Sequence, residues 1–226
     1  MLGFNNSAFI APILNFSVLQ LGGDLSKKQN HLENALGYYR AAEVAAGDNS
    51  FQKKVALGEQ IKLLCGRINK CTDAVPSIEK LLIVDGNHPW TLNNMAVWYK
   101  EMGNNMKAIE LLRKALAITS FGAAKTNLVS SIVAEARLRM KNRQPSSVNE
   151  DKKIEDLLVE AYKQNPRDFE LLHIFVEYHL ELAKQKPDAI KLAKNYLDEM
   201  KTAENGNIFR YFELEKQYKI AAETKK

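Results

Sequence analysis

Cysteine is scarce in this chain of 226 residues: only Cys65 and Cys71 occur, six positions apart. Two such residues are too few and wrongly spaced for a zinc site or a disulfide framework. The expectation is a pair of small packed thiols in the cytoplasm or another reducing compartment. Charge is absent altogether from the first 23 residues, MLGFNNSAFIAPILNFSVLQLGG. That stretch lacks the basic start of a secretory signal and the arginines of a mitochondrial presequence. Asn5, Asn6, Ser7, Pro12, Asn15 and Gln20 also interrupt any membrane span. An apolar cap packed on the first helices is therefore expected, with insertion into a partner or a membrane surface as the alternative.

Catalytic signatures are missing as well. The sequence has no glycine-rich phosphate loop, no nucleophile elbow and no histidine pair at helical ligand spacing. His173 and His179 stand six apart on one predicted helix and so face different ways, which makes them structural or surface residues rather than metal ligands. Carboxylates alternate with bases, as in Glu110 and Lys114, one helical turn apart and suited to a stabilising pair. These absences predict a non-enzymatic protein with no metal and no cofactor. A formal charge of +5 spreads over both halves of the chain among interspersed acids, whereas nucleic-acid binding asks for a concentrated basic stripe.

What is present is a period. Shifting the chain by 34 residues lays Ile61 on Met95, Cys65 on Tyr99, Ala74 on Ala108, Ile78 on Leu112 and Leu82 on Leu116, with side chains of compatible character in each pair. Residues 55–88 and 89–122 then form two units. Within each, apolar residues recur at steps of three and four, the mark of amphipathic helices. Between the helices lie GRINKCTD and EMGNNMK, where Gly66, Gly103 and the asparagines suit tight turns and Asp73 suits the cap of the second helix. Pro89 in DGNHPW stands where a new helix can begin, because its first amide needs no partner.

The unit from Pro89 to Gly122 resembles a tetratricopeptide repeat (TPR), with Leu92, Met95, Ala96, Tyr99, Gly103, Ala108, Leu112, Ala115 and Leu116 on that family's signature places. The small residues let paired helices approach and the large ones fill the space between successive hairpins. The unit from Val55 to His88 departs from the pattern at Lys62, where a small residue is usual, and at Asn69, in place of the turn glycine. Residues 24–54 read as a degenerate first hairpin, its first helix around Phe16 to Asn30 broken by Gly22 and Gly23. Residues 123–166 read as a hairpin with a long polar loop over 142–151, residues 168–203 as a last hairpin, and residues 207–222 as a capping helix.

The resemblance implies an all-α, right-handed α-solenoid of antiparallel hairpins running through the whole chain as one array, with protein partners held in the concave face as a peptide or a helix. Such a chain is expected to be a scaffold, an adaptor or a structural subunit of a multiprotein assembly. The inward residues would be Glu59, Leu63 and Arg67, then Trp90, Asn93, Asn94, Val97 and Glu101, then Asn127 and Ser131. Asparagine both donates and accepts, which suits the backbone of a bound segment. Co-chaperones of this family clamp the terminal carboxylate of heat-shock proteins with lysines, asparagines and an arginine. The equivalent places here carry Glu59, Leu63, Asn94, Ala124 and Leu128, so no carboxylate clamp is expected. The alternative function is RNA or ribonucleoprotein binding through Arg137, Arg139, Lys141, Arg143, Lys152 and Lys153, although no aromatic residues interleave with them as base stacking would prefer.

Overall fold

The structure is a computed structural model that describes residues 15–143, 148–203 and 206–223. Those residues form eleven α-helices and no strand. The chain divides into two compact units, Met1–Gly103 and Asn104–Lys226, each built from antiparallel helical hairpins in the manner of a TPR-like α-solenoid.

The first unit holds α1 (Phe16–Lys28), α2 (Leu32–Ala45), α3 (Ser50–Gly66), α4 (Val75–Asp85) and α5 (Pro89–Glu101). The expected break at Gly22 and Gly23 does not occur; α1 runs unbroken through both. Their role is close approach. A Cβ on Gly23 would lie 2.4 Å from the Tyr39 ring, and one on Gly22 would lie 2.9 Å from the Tyr38 ring, so both glycines make room for aromatic side chains of α2. Tyr39 is wholly buried and donates its hydroxyl to Asp24 Oδ1 at 2.7 Å. Burial first, then that carboxylate, pushes its pKa up to about 12.

Turns in this unit use positive φ where the chain reverses. Asn30 (φ 62°) lies between α1 and α2, and Asn69 (φ 58°) lies between α3 and α4, taking the place of the turn glycine as asparagine can. Helix α3 starts at Ser50, capped by Asn49 Oδ1, which accepts from the Gln52 amide at 3.0 Å. A unit boundary at Val55 therefore falls inside a helix. Asp73 does not cap α4 either; it lies in a 3-10 turn, Cys71–Ala74, that leads into that helix.

The same turn corrects the reading of the cysteines. Cys65 and Cys71 are joined by a disulfide, their Cα atoms 4.0 Å apart, because the turn after α3 folds back onto its last residues. No free thiol remains among the described residues, so the inference from free thiols to a reducing compartment loses its ground.

A polar junction ties α2, α3 and α4 together. The buried Gln60 side chain donates to the Tyr39 carbonyl (3.3 Å) and to Glu43 Oε2 (3.0 Å), and accepts from Ser77 Oγ (2.9 Å). A carboxamide at 2% exposure is tolerable because its donors and its acceptor are all used.

The second unit holds α6 (Asn105–Ile118), α7 (Gly122–Asn142), α8 (Val148–Gln164), α9 (Phe169–Ala183), α10 (Ala189–Met200) and α11 (Ile208–Glu223). Asn104 caps α6 and Asp168 caps α9, each accepting an amide of the first turn. Of the loop predicted over 142–151, Asn142 lies in α7 and residues 148–151 in α8, while residues 144–147 lie outside the described residues. Across the connection Arg143 lies 2.9 Å from Asp151, both side chains under 8% exposed, in ion contact without hydrogen-bond alignment. Tyr211 and Leu214 of α11 join Phe169, Leu172, Val176, Leu197 and Met200 in one apolar cluster.

Of the two readings left open for His173 and His179, structural or surface, burial decides for the first. His179 is 2% exposed and stacks against Phe175 and Tyr196 at 6.1 and 5.6 Å. Burial alone depresses its pKa to about 4, so the ring is neutral near pH 7. His173 packs beside Phe169, with Nδ1 3.3 Å from Glu177.

Candidate protein-binding grooves

Each unit carries a groove between its helices. In the first unit the groove lies between α3 and α5, with a cavity of about 410 Å³. Helix α3 lines it with Val55, Gly58, Glu59 and Lys62, spaced at i, i+3, i+4 and i+7 on one face, and α5 lines it with Asn94, Val97 and Trp98. Ile61 and Leu81 reach it from the core.

Charge in this groove is locally neutralised. Glu59 takes Lys27 on one oxygen at 2.6 Å and Lys62 on the other at 2.9 Å. Burial works to raise the Glu59 pKa, but the two ammonium groups outweigh it and hold it below the usual carboxylate range. Lys54 meets Asp85 at 2.7 Å. Asp85 also accepts from the Thr91 hydroxyl; burial works to raise its carboxyl pKa, and Lys54, Thr91 and His88 together more than offset it. The surface left for a ligand is thus mainly apolar, with Asn94 exposed at its edge.

Of the residues expected on the concave face, Glu59, Asn94 and Val97 line this groove. Leu63 is 1% exposed and Asn93 4%, so both belong to the packed interior and offer nothing to a ligand. Arg67 is exposed and donates to Asn30 Oδ1 at 3.2 Å. Trp90, 52% exposed, and Glu101 lie on the surface outside the lining. In the second unit Asn127 is half-buried. Ser131 is buried, its hydroxyl donating back to the Asn127 carbonyl at 2.8 Å within the same helix.

Sequence reasoning misses Lys54, Gly58 and Trp98. The signal for Gly58 is its i, i+3, i+4 place with Val55 and Glu59 along α3; Trp98 comes from α5, one residue beyond Val97. It also misses the groove of the second unit, a cavity of about 680 Å³ walled by Arg137 and Met140 of α7, Glu177 and Glu181 of α9, and Gln217 of α11. Glu177 is held below the usual carboxylate range, first by the His173 imidazole beside it.

The predicted basic patch is largely consumed by carboxylates. Arg137 pairs with Glu170 at 2.7 Å, Arg139 with Glu135 (2.8 Å) and Glu150 (3.2 Å), Arg143 with Asp151, and Lys153 with Glu150 at 2.6 Å. Lys141 and Lys152 are exposed. The clamp positions hold no replacement for the missing cations: Leu63, Ala124 and Leu128 are each at most 1% exposed. No group of three or more metal-binding side chains occurs among the described residues, and no described helix is long and apolar enough to cross a membrane.

No family model and no curated protein matches the sequence. Solved structures do. The crystal structure of MamA protein superposes with a TM-score of 0.55 at 14% identity, covering 82% of this chain and 92% of that one. A tetratricopeptide repeat protein from Parabacteroides merdae ATCC 43184 gives 0.48 at 17% identity, covering 96% and 76%. Yeast Tom70 gives 0.47 at 17% identity over 93% of this chain and 40% of that one. At such identities the likeness concerns architecture alone, and the architecture of this chain is a TPR-like array of helical hairpins.

Proposed function

We propose that the protein is a non-enzymatic scaffold or adaptor, a subunit of a multiprotein assembly, that holds a peptide or helix of a protein partner in the groove between α3 and α5. Gly58 carries this reading. A glycine inside a helix costs about 1 kcal/mol relative to alanine, and folds commonly spend it where a neighbour needs the room. Here a Cβ at residue 58 would meet nothing within 4 Å, so no described part of the fold uses the space. The glycine instead widens a groove walled by Val55, Val97 and Trp98, which suits the close approach of another chain. A few apolar anchors with a polar edge supply most of the energy in such recognition, and Asn94 provides that edge.

RNA binding through Arg137 to Lys153 draws no support from the site, since four of its six cations already face carboxylates.

The test fills the groove without disturbing the fold. Gly58→Leu should reduce partner capture at least tenfold, a loss of about 1.4 kcal/mol or more. Gly37→Leu is the control, because Gly37 of α2 has the same open space around it outside the groove. Both variants should retain full helicity by circular dichroism. Equal capture by the two would move the binding surface elsewhere.

A further inference from the structure

Helix α11 packs one face inward and leaves the other open. Tyr211 and Leu214 enter the apolar cluster of the second unit. The outer face carries Phe209, Glu213, Lys216 and Ile220 at steps of four, three and four, the spacing of a seam along which two helices meet. Phe209 is 82% exposed and Ile220 56%, and Phe212, 55% exposed, borders the line one turn from Phe209. Two phenylalanines side by side on one helix face make apolar surface of the kind that another chain covers.

The charges of this helix fall into two sets. Arg210 pairs with Glu170, and Glu215 with Lys219, within the chain. Glu213 and Lys216, on the seam, are exposed and make no ion pair among the described residues.

We propose that the seam of α11 binds the same seam of a second copy of the chain, antiparallel about a two-fold axis. The ground is the order of the residues, which runs apolar, acidic, basic, apolar along the helix. Turning a copy end for end sets Phe209 against Ile220 of the second chain and Glu213 against its Lys216, and each contact occurs twice. An isologous interface has to be self-complementary in this way. A parallel alignment would set each charge against its own like, which is costly. A foreign helix could match any order of residues, whereas a two-fold pairing needs the order found here. From Phe209 to Ile220 the seam is about 17 Å long, so the dimer belongs to the small, weakly associating class of interfaces. It uses none of the residues that line the groove between α3 and α5.

Sedimentation equilibrium of the full chain tests it. Between about 10 µM and about 1 mM the mean mass should rise toward that of two chains, and Phe209→Asp should hold it at one chain over the same range. Glu213→Lys and Lys216→Glu should each weaken association at least tenfold, because like charges then meet across the axis. The double variant should regain it, and the two single variants mixed together should form a mixed dimer. That rescue separates the contact from any damage to the helix. A chain that stays monomeric throughout, which would leave the seam to a different protein, overturns the proposal. So does association that survives Phe209→Asp, or charge reversals that fail to rescue one another.

Discussion

The two units use the same hairpins but hold them together differently. In the first unit, glycines of α1 admit tyrosines of α2, and one carboxamide links three helices. In the second, a buried ion pair joins the start of α8 to the end of α7 and a stack of Phe175, His179 and Tyr196 joins α9 to α10. Their grooves differ in the same sense. The groove of the first unit is chiefly apolar with its charges paired internally, whereas the groove of the second carries Arg137, Glu177, Glu181 and Lys184 on its walls. One packing scheme thus leaves two surfaces of different chemistry: an apolar side chain suits the first, and a ligand of matched charges suits the second.

The sharpest way to break this contrast is to unpair Arg143. Asp151→Ala leaves a guanidinium with 6% side-chain exposure facing no counter-ion, which costs about 3–5 kcal/mol. Hydrogen exchange should quicken in α7 and α8, and an unaltered exchange pattern would show that the pair is not holding them. In the first unit the matching change is Gly23→Leu, which drives a side chain into the Tyr39 ring. Overpacking of this kind costs about 1–3 kcal/mol and should lower the thermal midpoint; an equal midpoint would mean that α1 and α2 do not meet through Gly23.

The third comparison uses acid. The His179 pKa lies below its ordinary 6.5, at about 4, so the unfolded chain takes up its proton first as pH falls. The stability contributed by the neutral ring is complete above pH 6.5 and drains away toward pH 4, at up to about 1.4 kcal/mol per pH unit. His179→Phe should flatten that stretch of the stability profile, measured by denaturant titration at pH 7.0, 6.0 and 5.0. A profile with the same slope in the variant would place the titration elsewhere.

Much of the architecture is legible in the sequence because its markers are local. Pro89 starts α5, Gly103 adopts φ 78°, and Ala96, Ala108 and Ala115 are fully buried, all as period and residue size imply. The misreadings share a cause. Gly22 and Gly23 look like a helix break until the tyrosines opposite them are known, since a glycine that ends a helix and one that admits a ring are the same letter. The disulfide depends on a 3-10 turn that carries no signature of its own. Asn93 of α5 and Leu63 of α3 fall on a binding face only when facing is carried over by resemblance; half a helical turn of rotation separates a buried side chain from an offered one. The groove of the second unit escapes the sequence because its walls come from three helices far apart along the chain.

The Gln60 junction has a mechanical corollary. Its carboxamide engages a main-chain carbonyl of one neighbour, a carboxylate on the same neighbour and a hydroxyl of another, so it acts as a key cut for a single lock position. If α3 slid by one turn against α2 or α4, it would carry the buried amide away from its three partners and leave its donors and acceptor unmet. The stack around it can therefore flex as a block but cannot ratchet.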